Sequence, residues 1–222
     1  MIKPTILVAA SALSVGAFAL PTLQFTGVGK GLNSKWTLDG GSNFKSTFAG
    51  ELGALLTTNA GTSNLFGFCT SPTVTMQGSG SWEVTVGDTS LLSPNGARIA
   101  NLVNTYAPAI RSTGDDSEAA AMQLSIWELL TETSDSYSLS SGNFQAFKTD
   151  GSALDANILS YATTYLSLGG TSVAPFYKSG LNGAGAQASQ DLVTPVPEPA
   201  TWIVTGLGFA AICGYRRNKR SR

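Results

Sequence analysis

The chain has 222 residues, 42% of them hydrophobic and only 12% charged, with 25 glycines, the composition of one folded domain of ordinary size rich in turns and strands, plus tails. Between Leu20 and Pro195, seven basic residues face thirteen acidic ones, about six net negative charges, and no block clusters Lys and Arg; nucleic acid is therefore excluded as an expected partner, since binding it neutralises phosphates with such clusters. Histidine is absent, which removes Ser-His-Asp and Cys-His catalysis and argues against a metal site of the zinc type.

The first 19 residues read as a secretory signal peptide: Lys3 is the charged start, Ile6 to Leu20 the apolar run, and Ala17-Phe18-Ala19 the small-x-small cleavage site. From Gln24 to Asn64 the pattern predicts strands with glycine turns. These are Lys35 to Leu38, then Asn43 to Leu56, broken at Asp39-Gly40-Gly41 and Asn59-Ala60-Gly61. Leu65 to Cys69 is an apolar strand stopped soon after by Pro72, and Trp82 to Val86 alternates with period two.

After Ser93-Pro94-Asn95-Gly96 the spacing turns helical, with Ile99, Leu102, Val103 and Tyr106 on one face and Pro108 as the expected end. A second helix is expected over 115–132, where Asp115, Asp116 and Ser117 supply cap oxygens and Ala119 to Ala121 propagate it. A serine-rich connection from Thr133 to Gly142 leads to Phe144 and Phe147. Asp155 then caps a third helix carrying Ile158, Leu159, Ala162, Tyr165 and Leu166. A last strand is expected at Val173 to Tyr177, and residues 179–196, rich in Gly, Ala, Ser and Gln, read as a flexible linker. The fold expected is α+β, a β-rich N-terminal part, barrel or sandwich-like, with a small helical subdomain; the domain spans 20–178.

Two residues stand out chemically. Gln123 shares a helix face with Ala119, Ala120, Ile126, Trp127 and Leu130, so its amide points inward and needs a partner, at a cost of about 1–3 kcal/mol if none is found. Nearby backbone is the ordinary partner. Of the two cysteines, Cys213 lies in the C-terminal tail, which leaves Cys69 alone in the exported part. An unpaired cysteine in an oxidising compartment is either buried and inert or has its sulfur in use.

The tail is Pro197-Glu198-Pro199, an apolar run from Ala200 to Tyr215, and then Arg216, Arg217, Lys219, Arg220 and Arg222. By itself this is a short membrane span with a cytoplasmic basic end. Residues 197–222 resemble the PEP-CTERM sorting signal of Gram-negative bacteria that make exopolysaccharide. The resemblance implies recognition and processing by an exosortase, transient anchoring in the inner membrane through the tail, and a mature protein at the cell surface or outside the cell.

The remaining chemistry is sparse. Glu51, Glu83, Glu128 and Glu132 could in principle pair as a glycosidase would require, but solvated surface carboxylates are the expectation. Asp39-Gly40-Gly41 and Asp150-Gly151 read as turns and lack the spacing of a calcium loop. No Walker-type glycine loop is present.

Phe68-Cys69, followed by a helix bearing Met122-Gln123-Leu124-Ser125-Ile126-Trp127-Glu128, resembles the thioester domain of bacterial surface proteins. That family has an aromatic-Cys motif and an apolar-Gln-x-x-apolar-Trp motif whose Cys and Gln side chains join. Thr70 departs from it, an apolar residue being usual there, and no acidic residue lies just beyond. The resemblance implies a Cys69–Gln123 thioester supported by Phe68, Ile126 and Trp127. It further implies adhesin-like covalent attachment to an amine-bearing surface target in adhesion or biofilm matrix, with no cofactor and no enzymatic turnover. The alternative is a non-covalent structural or polysaccharide-binding component of the extracellular matrix.

Overall fold

The computed structural model describes residues 19–92, 94–132 and 136–196. The expected signal peptide, except Ala19, and the expected sorting tail, with Pro197, Glu198 and Pro199, lie outside the described residues. The chain is α+β as expected: strands β1 (Thr22–Thr37), β2 (Lys45–Thr58), β3 (Gly61–Cys69) and β4 (Ser81–Asp88) come first. Helices α1 (Gly96–Ser112) and α2 (Asp116–Thr131) follow, then β5 (Gln145–Lys148), α3 (Ala156–Leu166), β6 (Pro175–Ser179) and β7 (Leu192–Val193). The seven strands form one antiparallel sheet in the order β2-β3-β7-β6-β4-β1-β5, and β1 also pairs with β2, which closes six of them into a ring. Among the described residues no helix is long and apolar enough to cross a membrane.

The β1–β2 hairpin is longer than the pattern predicts because β1 begins at Thr22 and pairs with β2 from Thr22↔Thr57 to Trp36↔Lys45. Its turn is built on Asp39, whose carboxylate accepts hydrogen bonds from Ser42 N (2.9 Å), Asn43 N (3.0 Å) and the Thr37 hydroxyl. These donors hold the Asp39 carboxyl well below the usual carboxylate range. Gly40 and Gly41, at φ +68° and +110°, take the conformations that side chains resist.

Helix α2 starts where the cap residues predict, with the Asp115 carboxylate accepting from Glu118 N at 2.8 Å. Its burial exceeds the expectation of one apolar face: every residue from Ala119 to Leu129 is buried. The helix packs against β1, β2, α1 and α3, and Trp127 meets Trp36 of β1 (ring centroids 5.9 Å), which in turn stacks on Phe144. An all-round buried helix is the centre of a core rather than its cover.

The serine-rich connection leads through Phe144 to a short strand, β5, which holds Phe147 and pairs with the end of β1. Three expectations need correction. Pro108 does not end α1, which runs through it to Ser112; the lost backbone hydrogen bond is offset by burying Ile110 completely. Asp155 sits at the N-cap of α3 without capping it, because its carboxylate pairs with Lys148 Nζ at 2.5 Å. Most consequential, residues 179–196 are no flexible linker: Ser189, Gln190, Leu192, Val193 and Thr194 are buried, and β7 bridges β3 and β6. The core therefore extends to Thr194, beyond the boundary expected at 178. Gly, Ala and Ser here are the small residues that let one backbone lie close on another.

Gly67 shows how close. A Cβ there would stand 2.4 Å from the Val193 carbonyl oxygen, so the β3–β7 pairing requires a bare backbone at this position. Replacing Gly67 with Ala is expected to push β7 off β3 and cost about 1–3 kcal/mol, read as a lower urea midpoint at unchanged m-value.

Candidate functional site

The two residues singled out by their chemistry meet. Strand β3 pairs with β2 only as far as Gly67↔Leu52, while its other edge continues against β7 through Phe68↔Val193 and Cys69↔Leu192. At Cys69 the β2-side edge would leave a buried N–H and C=O without a strand to bond. The side-chain amide of Gln123 takes that place: Cys69 N donates to Gln123 Oε1 at 2.8 Å, and Gln123 Nε2 donates to the Cys69 carbonyl at 2.8 Å. A primary amide, with one donor group and one acceptor, here acts as a one-residue strand.

Both residues are buried, Cys69 at 2% and Gln123 at 1% exposure. Gln123 thus finds backbone, the ordinary partner for a buried amide, but the backbone is that of the lone cysteine. The Gln123 amide is thus clasped by both polar backbone groups of residue 69.

The surroundings of the sulfur are nearly dry. Phe68 and Trp127 are each 1% exposed, and Ile126, one turn beyond Gln123, is fully buried. Ser71 N donates to Cys69 Sγ at 3.2 Å. The Trp127 indole also bears on the sulfur, although its N–H makes no well-formed hydrogen bond. Burial pushes the thiol's pKa up to about 12, against the lowering effect of these donors. Such a thiol is un-ionised at neutral pH and is not by itself a nucleophile.

Cys69 is two residues along the chain from the surface. Thr70, the departure from the family pattern, is buried with its hydroxyl unpartnered, and Ser71 is partly exposed. The loop that follows, Pro72 to Met76, forms one wall of a groove of about 400 Å³ opposite Phe25, Phe48 and Lys45. Trp36 lines this groove with Lys45 above its ring, and Trp36 contacts Trp127. The groove and the sulfur thus share an aromatic wall.

Three of the four glutamates overturn the expectation of solvated surface groups. Glu51 is buried in a 3.0 Å salt bridge with Arg111, which covers the Phe66 ring. Glu83 is exposed on β4. Glu128 and Glu132, one turn apart on α2, both turn to the following loop: Glu128 Oε1 accepts from Ser138 N (2.7 Å) and Glu132 Oε2 from Asn143 N (2.8 Å). They are loop anchors, legible in sequence only as a helix-end spacing. Among the described residues no cluster of His, Cys, Asp and Glu could hold a metal ion.

Asp191 was invisible to sequence reasoning because it lies in the stretch read as flexible. Its carbonyl accepts from Thr70 N at 3.0 Å, and its carboxyl, held above the usual range by burial, acts electrostatically on Cys69. No protein-family model, no curated protein and no solved structure matches the chain.

Glu128 carries a pH signature. Desolvation raises its pKa from 4.5 to about 7, helped by the neighbouring charge of Glu132 and opposed by the Ser138 N–H, and Oε2 has no hydrogen-bond partner. Between those two values the unfolded chain has released a proton that the folded chain keeps. Stability should therefore fall as pH rises from about 4.5 to 7 and then level off. Glu128→Gln is expected to flatten that fall and gain about 2 kcal/mol at pH 8, taking 1.36 kcal/mol per pKa unit and discounting for solvent screening, measured by urea unfolding across pH.

Proposed function

We propose that this protein is an exported surface or matrix protein that attaches covalently to an amine-bearing target through an internal Cys69–Gln123 thioester. The observation that carries the reading is the double hydrogen bond between the Gln123 amide and the Cys69 backbone. It holds the Gln123 side-chain amide against the backbone of Cys69, with Phe68, Ile126 and Trp127 all buried.

Three features of the site suit the chemistry. Holding thiol and amide together makes attack intramolecular, and orientation alone is worth on the order of 7–11 kcal/mol of barrier in favourable cases. The Cys69 N–H already donates to the amide oxygen, the atom on which negative charge develops as sulfur attacks. A thioester, being neutral, also suits a dry site better than a thiolate. In use, an amine from the target attacks the acyl carbon, expels the Cys69 sulfur and leaves a stable amide on Gln123. The reaction happens once per molecule, so the protein is proposed as a reagent rather than an enzyme. Exosortase processing of the tail and a surface or extracellular location belong to the same proposal and rest on the motif beginning at Pro197.

The same double hydrogen bond supports a second reading. It satisfies both buried polar pairs with no covalent bond, so the site can also be a structural clasp in a non-covalent matrix component.

Intact mass separates the two. The full chain is expected to be lighter than its sequence by one ammonia, a deficit absent from Cys69→Ala and from Gln123→Ala, and methylamine is expected to add at residue 123. A wild-type chain of full sequence mass, with no Gln123-to-Glu conversion of the kind hydrolysis leaves and with a thiol that alkylates on unfolding, leaves the clasp as the answer.

A further inference from the structure

Thioester chemistry at this site has a proton problem. Cys69 must lose a proton to attack, the Gln123 nitrogen must gain one to leave as ammonia, and an incoming amine must later lose one. The immediate shell of Phe68, Ile126, Trp127 and Gln123 holds no acid or base, and the chain has no histidine.

Asp191 lies within one residue of the sulfur. The segment before β7 crosses the end of β3, where Thr70 N bonds to the Asp191 carbonyl. The next residue, Ser71, links the two groups: its N–H donates to Cys69 Sγ (3.2 Å), and its Oγ accepts from Asp191 N (3.4 Å). Gln187 Nε2 fastens the arrangement, reaching both Ser71 Oγ (3.2 Å) and Asp191 Oδ1 (2.8 Å), and Ser179 N donates to the same Oδ1 at 2.7 Å. The titratable groups that bear on Asp191 are the neutral Cys69 thiol from β3 and the charged Lys178 from β6. Asp191 is half-buried while Cys69 is closed off, so the carboxyl has an access to solvent that the sulfur lacks.

We propose that Asp191, joined to Cys69 by way of Ser71, is the proton carrier of this site, an inference that rests on the thioester reading. In bond formation the proton leaves Cys69 Sγ for the Asp191 carboxylate as the S–C bond forms. It passes to the Gln123 nitrogen as the C–N bond breaks, and ammonia departs. In target capture the amine gives its proton to Asp191 as the new N–C bond forms, and the sulfur receives it as the C–S bond breaks. Both steps balance without any further reactant. Burial of the carboxyl, by holding its pKa above the ordinary value, makes it the stronger base. The acidic residue missing from the positions just after Cys69 is in this account supplied from the other end of the chain.

The test compares the full chain with Asp191→Asn, Asp191→Glu and Ser71→Ala, following thioester content by intact mass and methylamine incorporation at residue 123 as a function of pH. Asn keeps the oxygen that accepts from Ser179 and Gln187, so Asp191→Asn is expected to unfold at the wild-type urea midpoint. Its methylamine rate is expected to fall about 100-fold, within the range usual for a lost general base, and to lose its dependence on carboxylate ionisation. Asp191→Glu should recover much of the rate, and Ser71→Ala should fall between. If folded Asp191→Asn, or Ser71→Ala should the first variant not fold, reacts with the wild-type rate and pH profile, the relay is overturned while the thioester stands. If the wild type itself neither lacks ammonia nor takes up methylamine, the thioester reading falls, and the relay with it.

Discussion

The arrangement depends on how β3 ends. Its β2 partner stops at Gly67, yet the strand continues two residues into the core, where an unpaired N–H and C=O would each cost about 1–3 kcal/mol. The Gln123 amide answers both with hydrogen bonds of 2.8 Å. That clasp ties the central helix to the rim of the strand ring. It sets the rotation of α2, and with it the position of Trp127 one turn on, which closes over the sulfur and meets Trp36. Site and core are thus one object.

Burying α2 on all sides has a consequence beyond Gln123. A helix that covers a core can turn its polar residues to water; this one cannot, and Gln123, Ser125 and Glu128 are all enclosed. Gln123 finds two partners. Glu128 finds one for one of its oxygens, and the Ser125 hydroxyl finds none. A fully paired amide on one side of the helix and a half-paired carboxyl further along it place the stability of the fold and its pH dependence on different faces of the same element.

The C-terminal segment completes what the β-rich half leaves open. Without β7, strands β3 and β6 would have no common neighbour, the Gly67–Cys69 edge would face solvent, and no carboxylate would stand beside Cys69. Hydrogen bonds between Thr70, Ser71 and Gln77 and residues 189–191 stitch the loop after β3 to this segment. The residues that make this possible are small and polar, chosen for close approach and side-chain hydrogen bonding, which is also why they carry no periodic signal.

Local chemistry was legible from the residues alone. The Asp115 cap, the Asp39-Gly40 turn, the alternation of β4 and the apolar spacing of α1 and α3 each depend on a few neighbouring side chains and need no distant partner. The same holds for the oddity of Cys69 and Gln123: an amide expected inside and a thiol without a mate are inconsistent with their surroundings wherever the chain goes. What only the tertiary structure decided involves contacts between segments far apart in sequence. Pro108 stays helical because Ile110 is buried, and Glu128 and Glu132 are buried because a loop folds back on them. Residues 179–194 are ordered because two strand edges were waiting for a third. Hydrogen bonds to Cys69 come from 54 positions away and to Ser71 from about 120, and no pattern within a window of neighbours encodes separations of that size.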